Sequence, residues 1–280
     1  MAEPAMINRP IPSTGEPMPV IGLGTWPVFD VGEDEASRRP LREVVQRLVV
    51  AGGRMIDTSP MYGRSEGVVG DIVAGLGVRQ QVFLATKVWT SGRERGIEQM
   101  RRSASLMKSP VIDLMQIHNL VDWRTQLATI REMKAKGQLR YIGITHYTTG
   151  SLPELARILE TEQGIDFVQL GYSLATREAE TRLLPVAAQR GVAVIVNQPF
   201  ERGDLFRSVR GKTLPDWAAE FDCASWAQLF LKYLLGDPAI ACVIPATNKP
   251  DHMADNLKSG FGRLPDQKQR EQIRRLWESL

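Results

Sequence analysis

The chain has 280 residues, of which 43% are apolar and 24% charged, and its net charge is +3. These proportions are those of an ordinary folded chain and exclude disordered, collagen-like and low-complexity roles. The basic residues are spread along the sequence, which speaks against a nucleic-acid partner, and no apolar run approaches the roughly 18 residues of a membrane span. Met1 to Ala5 carries no export signal, and Cys223 and Cys242 are too few for a disulfide framework, so a soluble protein of the cytoplasm is expected. Three histidines without a repeated ligand spacing suggest no metal site. The oligomeric state is not legible.

After a Pro- and Gly-rich opening, short apolar runs alternate with longer stretches of helical period. Met6 to Pro19 reads as a hairpin turning at Ser13-Thr14-Gly15-Glu16 and plugging the bottom of a barrel. Strands are expected at Val20–Leu23, Arg54–Thr58, Val82–Lys87, Leu114–His118, Tyr141–Thr145, Phe167–Leu170, Val192–Val196 and Ala241–Ile244, each followed by a helical segment. Leu41, Val44, Val45, Leu48 and Val49 follow the i, i+3, i+4, i+7 spacing of an amphipathic helix stopped by Gly52-Gly53, and Glu178–Arg190 repeats the arrangement before Gly191. Eight such units without a break in composition predict an α/β fold: a single (β/α)8 barrel domain over residues 1–280 with an N-terminal β-hairpin. An irregular stretch from Glu201 to Trp217 interrupts the seventh unit and reads as a ligand cover. Its basic residues Arg202, Arg207, Arg210 and Lys212 read as a solvated segment.

In a barrel, polar residues at the C-terminal strand ends converge on one mouth. The second strand ends near Asp57 and its loop offers Tyr62, the third ends in Lys87 and the fourth in His118. Taken singly, an Asp after a strand is a turn former, a Tyr is packing and a His satisfies the backbone. Lys87 is different, because a Lys closing a buried strand needs a partner. Together the four types can make a proton relay: an ammonium favours an ionised phenol, a carboxylate holds that ammonium, and an imidazole orients a carbonyl oxygen.

The stretches Gly22-Leu23-Gly24-Thr25-Trp26, Ile56-Asp57-Thr58-Ser59-Pro60-Met61-Tyr62-Gly63, Lys87-Val88-Trp89, Gln116-Ile117-His118-Asn119, Ile244-Pro245-Ala246-Thr247 and Asp255-Asn256 resemble, in order, the motifs of the aldo-keto reductases. The resemblance implies reduction of an aldehyde or ketone with hydride from NADP(H), or from NAD(H), with Tyr62 as general acid, Lys87 and Asp57 tuning it, and His118 orienting the carbonyl. It implies cofactor contacts at Gly24, Thr25, Trp26 and Asp57, at Thr145, His146 and Gln169 for the carboxamide, at Asn197, Gln198, Pro199, Phe200, Gly203 and Leu205, and at Pro245, Ala246, Thr247, Asn248, His252, Asp255 and Asn256. Trp26, Trp89 and Trp123, with Tyr62 and His118, would line the substrate pocket, whereas Trp226 reads as core.

Five positions depart from the pattern. Thr145-His146 stands where many members have Ser-Asn, and Asn197 where many have a Tyr that stacks on the nicotinamide, a role Phe200 could take. Ala246 and His252 replace the Lys and Arg that grip the 2′-phosphate, which argues against a tight NADP preference. Two other readings compete. One is an aldolase forming a Schiff base through Lys87; the other is a barrel that binds or senses nicotinamide cofactor with negligible turnover.

Overall fold

The computed structural model describes residues 5–280, so the reading of Met1 to Ala5 lies outside the described residues except at Ala5. A short antiparallel hairpin, β1 (Asn8–Pro10) and β2 (Pro17–Pro19), precedes eight parallel strands: β3 (Leu23–Gly24), β4 (Met55–Asp57), β5 (Phe83–Val88), β6 (Ile112–His118), β7 (Leu139–His146), β8 (Phe167–Gly171), β9 (Ala193–Asn197) and β10 (Ile240–Val243). The helices between and after them are α1 (Glu35–Val50), α2 (Ser65–Leu76), α3 (Arg93–Leu106), α4 (Trp123–Ala135), α5 (Leu152–Thr161), α6 (Leu183–Arg190), α7 (Asp204–Ser208), α8 (Trp226–Leu235), α9 (Pro250–Lys258) and α10 (Gln267–Glu278), the last two following β10. Neighbouring strands pair in chain order, and β10 meets the start of the barrel through bridges Ile21 to Val243 and Gly24 to Ala246. Gly24 permits that closure, because a Cβ there would lie 2.7 Å from the Ile244 carbonyl oxygen.

The two-residue period of the strands builds the barrel in layers. Ile56, Leu84, Met115, Ile142, Val168 and Val194 pack outward with the helices, while Met55, Phe83, Leu114, Tyr141, Phe167 and Ala193 form the lower interior. Phe83, Tyr141 and Phe167 meet with ring centroids 5.6 to 6.0 Å apart, and Ile11 and Met18 of the hairpin region close the layer from below. Continuing by twos up the same strands brings Asp57, Lys87, Gln116, His118, Thr145, Gln169 and Asn197 to the upper end. The apolar plug and the polar mouth are thus one alternation read in opposite directions.

Several local expectations need correction. Glu178–Arg190 is not one helix: a 3-10 turn at Glu178–Thr181 precedes α6, because Arg182 leaves helical geometry and Pro185, which has no N–H, fits only near a helix start. The stretch Glu201–Trp217 includes α7 rather than being irregular throughout. The first strand is regular only at Leu23–Gly24, and the last shifts register between Ile240 and Cys242. Trp226 opens α8 half-buried at the core's edge, its indole N–H donating to the Lys212 carbonyl oxygen at 3.0 Å. Both cysteines are buried and unpaired. Among the described residues no helix is long and apolar enough to cross a membrane.

Candidate active site

Asp57 ends β4, Lys87 lies one residue before the end of β5, and the two are buried together. Lys87 Nζ donates to Asp57 Oδ2 at 2.7 Å and to the Thr58 carbonyl oxygen at 2.7 Å. The other carboxylate oxygen, Asp57 Oδ1, accepts from Gln116 Nε2 at 3.0 Å and Gln169 Nε2 at 2.8 Å. Gln169 Oε1 in turn accepts from Thr145 Oγ1 at 3.3 Å and Asn197 Nδ2 at 3.2 Å. A buried ion pair persists only when its remaining donors and lone pairs are satisfied, and here neighbouring strands supply them.

Tyr62 sits in the loop between β4 and α2, its backbone N–H donating to the Ser59 carbonyl oxygen at 3.0 Å. Lys87 Nζ lies 4.9 Å from the centre of the Tyr62 ring, and the His118 ring meets Tyr62 edge-on, with centroids 5.9 Å apart and planes at 86°. Burial pushes the Tyr62 phenol above its ordinary value; Lys87 pulls it back and Asp57 pushes it up again. Lys87 acts on the phenol in the expected downward direction, but desolvation of the phenolate outweighs the cation and the net direction is upward. Burial works against the Lys87 ammonium too, but Asp57 prevails and holds it above the ordinary lysine value. His118 is lowered to about 3 by burial, with Lys87 and His146 adding to the effect, so its ring is neutral near neutral pH.

Residues 20–278 match the Aldo/keto reductase family. The chain belongs to the aldo/keto reductase family. It is 27% identical over 227 residues to the aldo-keto reductase YhdN of Bacillus subtilis (strain 168), covering 76% of this chain and 66% of that protein. It is 26% identical over 246 residues to the methylglyoxal reductase YeaE of Escherichia coli (strain K12), covering 85% of this chain and 84% of that protein. An aldo-keto reductase from Klebsiella pneumoniae, solved in complex with NADPH, superposes with a TM-score of 0.81 at 23% identity, over 99% of this chain and 96% of that one. The family match makes this chain an oxidoreductase, and the superposition shows the shared barrel.

The remaining expected residues of this aldo/keto reductase fall at several depths. Gly24 and Thr25 are buried, Thr25 Oγ1 donating to the Asp57 carbonyl oxygen at 2.9 Å. Trp26 is 40% exposed, with the Arg202 guanidinium 4.8 Å from its ring centre. Trp89 is 42% exposed, its backbone held by Gln99 of α3. Trp123 departs from that pair, since it starts α4 buried in the hydrophobic core with the Arg124 guanidinium 4.4 Å from its ring. Thr145 and Gln169 belong to the buried polar layer, while half-buried His146 stacks on Tyr147 with centroids 5.6 Å apart.

Asn197 ends β9, and Gln198 continues the chain with φ of 51°, followed by buried Pro199. Phe200 faces Phe206 at 4.9 Å, and Phe206 faces Phe230 at 5.8 Å, so the Phe200 ring is engaged in that cluster. Gly203 has φ of 103°, and Leu205 of α7 is buried. Beyond β10, Pro245 and Thr247 are buried whereas Ala246, Asn248 and His252 are exposed. Asn256 is buried, and both carboxylate oxygens of Asp255 already accept from α8 and its cap, Oδ2 from Ser225 Oγ at 2.7 Å and Oδ1 from Gln228 Nε2 at 2.6 Å.

Sequence reasoning missed three participants. Gln116 precedes His118 by two on β6, so strand alternation alone points it inward and could have found it. Ser59, whose hydroxyl lies 3.0 Å from His118 Nδ1, sits in a loop without period. Arg202 is exposed, as its solvated reading implies, and the missed feature is its contact with the Trp26 ring, made between residues far apart in the sequence.

Proposed function

We propose that this protein reduces an aldehyde or ketone to an alcohol with a nicotinamide cofactor, NADPH or NADH, and that Tyr62 gives the proton. The observation that carries the reading is the buried Lys87–Asp57 pair set against the Tyr62 ring, with neutral His118 edge-on beside it. When bound, the cofactor supplies the hydride. The substrate oxygen then needs a proton and stabilisation of developing negative charge. Burial keeps Tyr62 protonated and able to donate, the Lys87 ammonium favours the phenolate left behind, and Asp57 keeps that ammonium in place. His118, neutral and buried, is suited to orient the carbonyl oxygen against the phenol.

The residues at the mouth fit a nicotinamide carboxamide. Among the described residues Asn197 Oδ1 is buried without a hydrogen-bond partner, beside Thr145 and Gln169, and such an orphaned acceptor suits an amide N–H₂. Trp26, Asn197 and the segment from Gln198 to Leu205 would hold the nicotinamide and pyrophosphate, and Pro245 to Asn256 the adenosine. At the 2′-phosphate position, exposed His252 offers less than an Arg fork, so both cofactors are candidates. The aldolase reading is weakened, because Schiff-base chemistry needs a neutral amine and Asp57 holds Lys87 charged.

A small 2-oxoaldehyde is a natural first substrate, given the name of the Escherichia coli relative. The test is a screen of aldehydes, ketones and sugars against NADPH and NADH, followed by loss of cofactor absorbance. Turnover of at least one carbonyl class supports the proposal. Tight cofactor binding with negligible turnover across the screen would favour a cofactor-sensing protein instead.

A further inference from the structure

Ser59 is fully buried between Asp57 and Tyr62 and touches both sides of the site. Its carbonyl oxygen accepts the Tyr62 N–H at 3.0 Å, and its hydroxyl oxygen accepts the Met61 N–H at 3.2 Å. The same hydroxyl lies 3.0 Å from His118 Nδ1. Among the described residues, His118 Nδ1 is the acceptor within reach of the hydroxyl proton.

Two arrangements are open to that contact. If His118 carried its proton on Nδ1, it would donate to Ser59 Oγ; the hydroxyl proton would then be stranded in a buried place, and bare Nε2 would repel an approaching carbonyl oxygen. If Ser59 donates to Nδ1, every polar atom of the Ser59 side chain is satisfied and the imidazole proton moves to Nε2. We propose that Ser59 is a positioning residue that fixes His118 in the Nε2-protonated tautomer and ties that ring to the loop carrying Tyr62. The consequence for catalysis rests on the carbonyl-reductase reading: the Nε2–H is the donor that orients the substrate oxygen. The tautomer itself does not depend on that reading.

The chain has three histidines, which makes the test direct. Protein labelled with 15N-histidine is examined by long-range 1H–15N correlation at neutral pH without substrate, with His118 assigned by loss of its signals in His118→Asn. The expected spectrum has His118 Nδ1 unprotonated and Nε2 protonated. In Ser59→Ala the His118 signals should move to a mixture of tautomers and kcat should fall roughly tenfold with cofactor Kd unchanged, as loss of one buried hydrogen bond implies. Ser59→Thr, which keeps the hydroxyl, should restore the spectrum and most of the rate. An Nδ1–H tautomer in the wild-type protein, or a wild-type His118 spectrum in folded Ser59→Ala, overturns the proposal. If Ser59→Ala does not fold, the wild-type spectrum still decides the tautomer. A correct tautomer in a protein that reduces no carbonyl would sink the reductase reading and leave the Ser59 assignment standing.

Discussion

Gln169 Nε2 lies 2.8 Å from Asp57 Oδ1, the carboxylate oxygen that Lys87 leaves free. The sheet therefore holds Asp57 between one cation and two amides, and the two amides are not equivalent. Gln169 Oε1 accepts from Thr145 and Asn197, whereas Gln116 Oε1 is buried with no partner among the described residues. Gln169→Leu removes a donor from a buried carboxylate and strands two further donors; Gln116→Leu removes one donor and relieves an orphan. Urea unfolding should show Gln169→Leu costing about 2 to 3 kcal/mol and Gln116→Leu about 1 kcal/mol or less. Equal losses would mean that the Thr145 and Asn197 contacts contribute nothing.

Lys87→Met leaves Asp57 as an uncompensated buried charge and should destabilise the protein by about 3 to 5 kcal/mol. Adding Asp57→Asn removes that charge and should recover most of the stability without recovering turnover, because the phenolate loses its cation either way. A double-mutant cycle read by both unfolding and kinetics checks this. Stability that stays low in the double variant would assign Lys87 a packing role.

His118 has a folded-state value of about 3, below its ordinary one. Between those values the unfolded chain binds the proton and the folded one does not, so stability rises with pH across that window. It is fully present above the ordinary histidine value and is lost as the pH falls, by roughly 1.4 kcal/mol per pH unit. Unfolding of the wild type should thus become easier by roughly 2 to 3 kcal/mol between about pH 6.5 and 4.5, and His118→Phe should lack that component. An unchanged pH slope in His118→Phe would show that the acid sensitivity originates elsewhere.

Any preference for NADPH over NADH should be modest. An Arg grips a phosphate with a planar two-pronged fork, while an imidazole offers one donor per nitrogen. If His252 holds the 2′-phosphate, His252→Ala should weaken NADPH binding and leave NADH binding unchanged, and His252→Arg should strengthen NADPH binding alone. Dissociation constants for both cofactors in the wild type and the two variants are the check. A large NADPH preference that survives His252→Ala would assign the phosphate to another residue.

Strand alternation made much of the site legible in the sequence. Lys87, His118 and Gln169 each sit an even number of residues above an interior apolar residue, at Phe83, Leu114 and Phe167. Burial energetics were not legible: the proximity of Lys87 to Tyr62 follows from motif and strand order, but the net upward push on the phenol depends on how much water the fold excludes. Trp123 and Trp226 show a second limit, since each begins a helix, where a shift of one residue decides between mouth, core and rim. Ser59 and Arg202 mark a third, because side chains in loops have no period to read.

Tyr62→Phe separates the proposed proton donor from the ring that carries it. The ring and its packing against His118 are kept while the hydroxyl is lost. Single-turnover reduction of an accepted carbonyl, with cofactor Kd titrated on the same protein, should show a rate lower by roughly 10²- to 10⁴-fold and a Kd within about twofold of wild type. A Tyr62→Phe rate close to that of the wild type would remove Tyr62 from the role of acid.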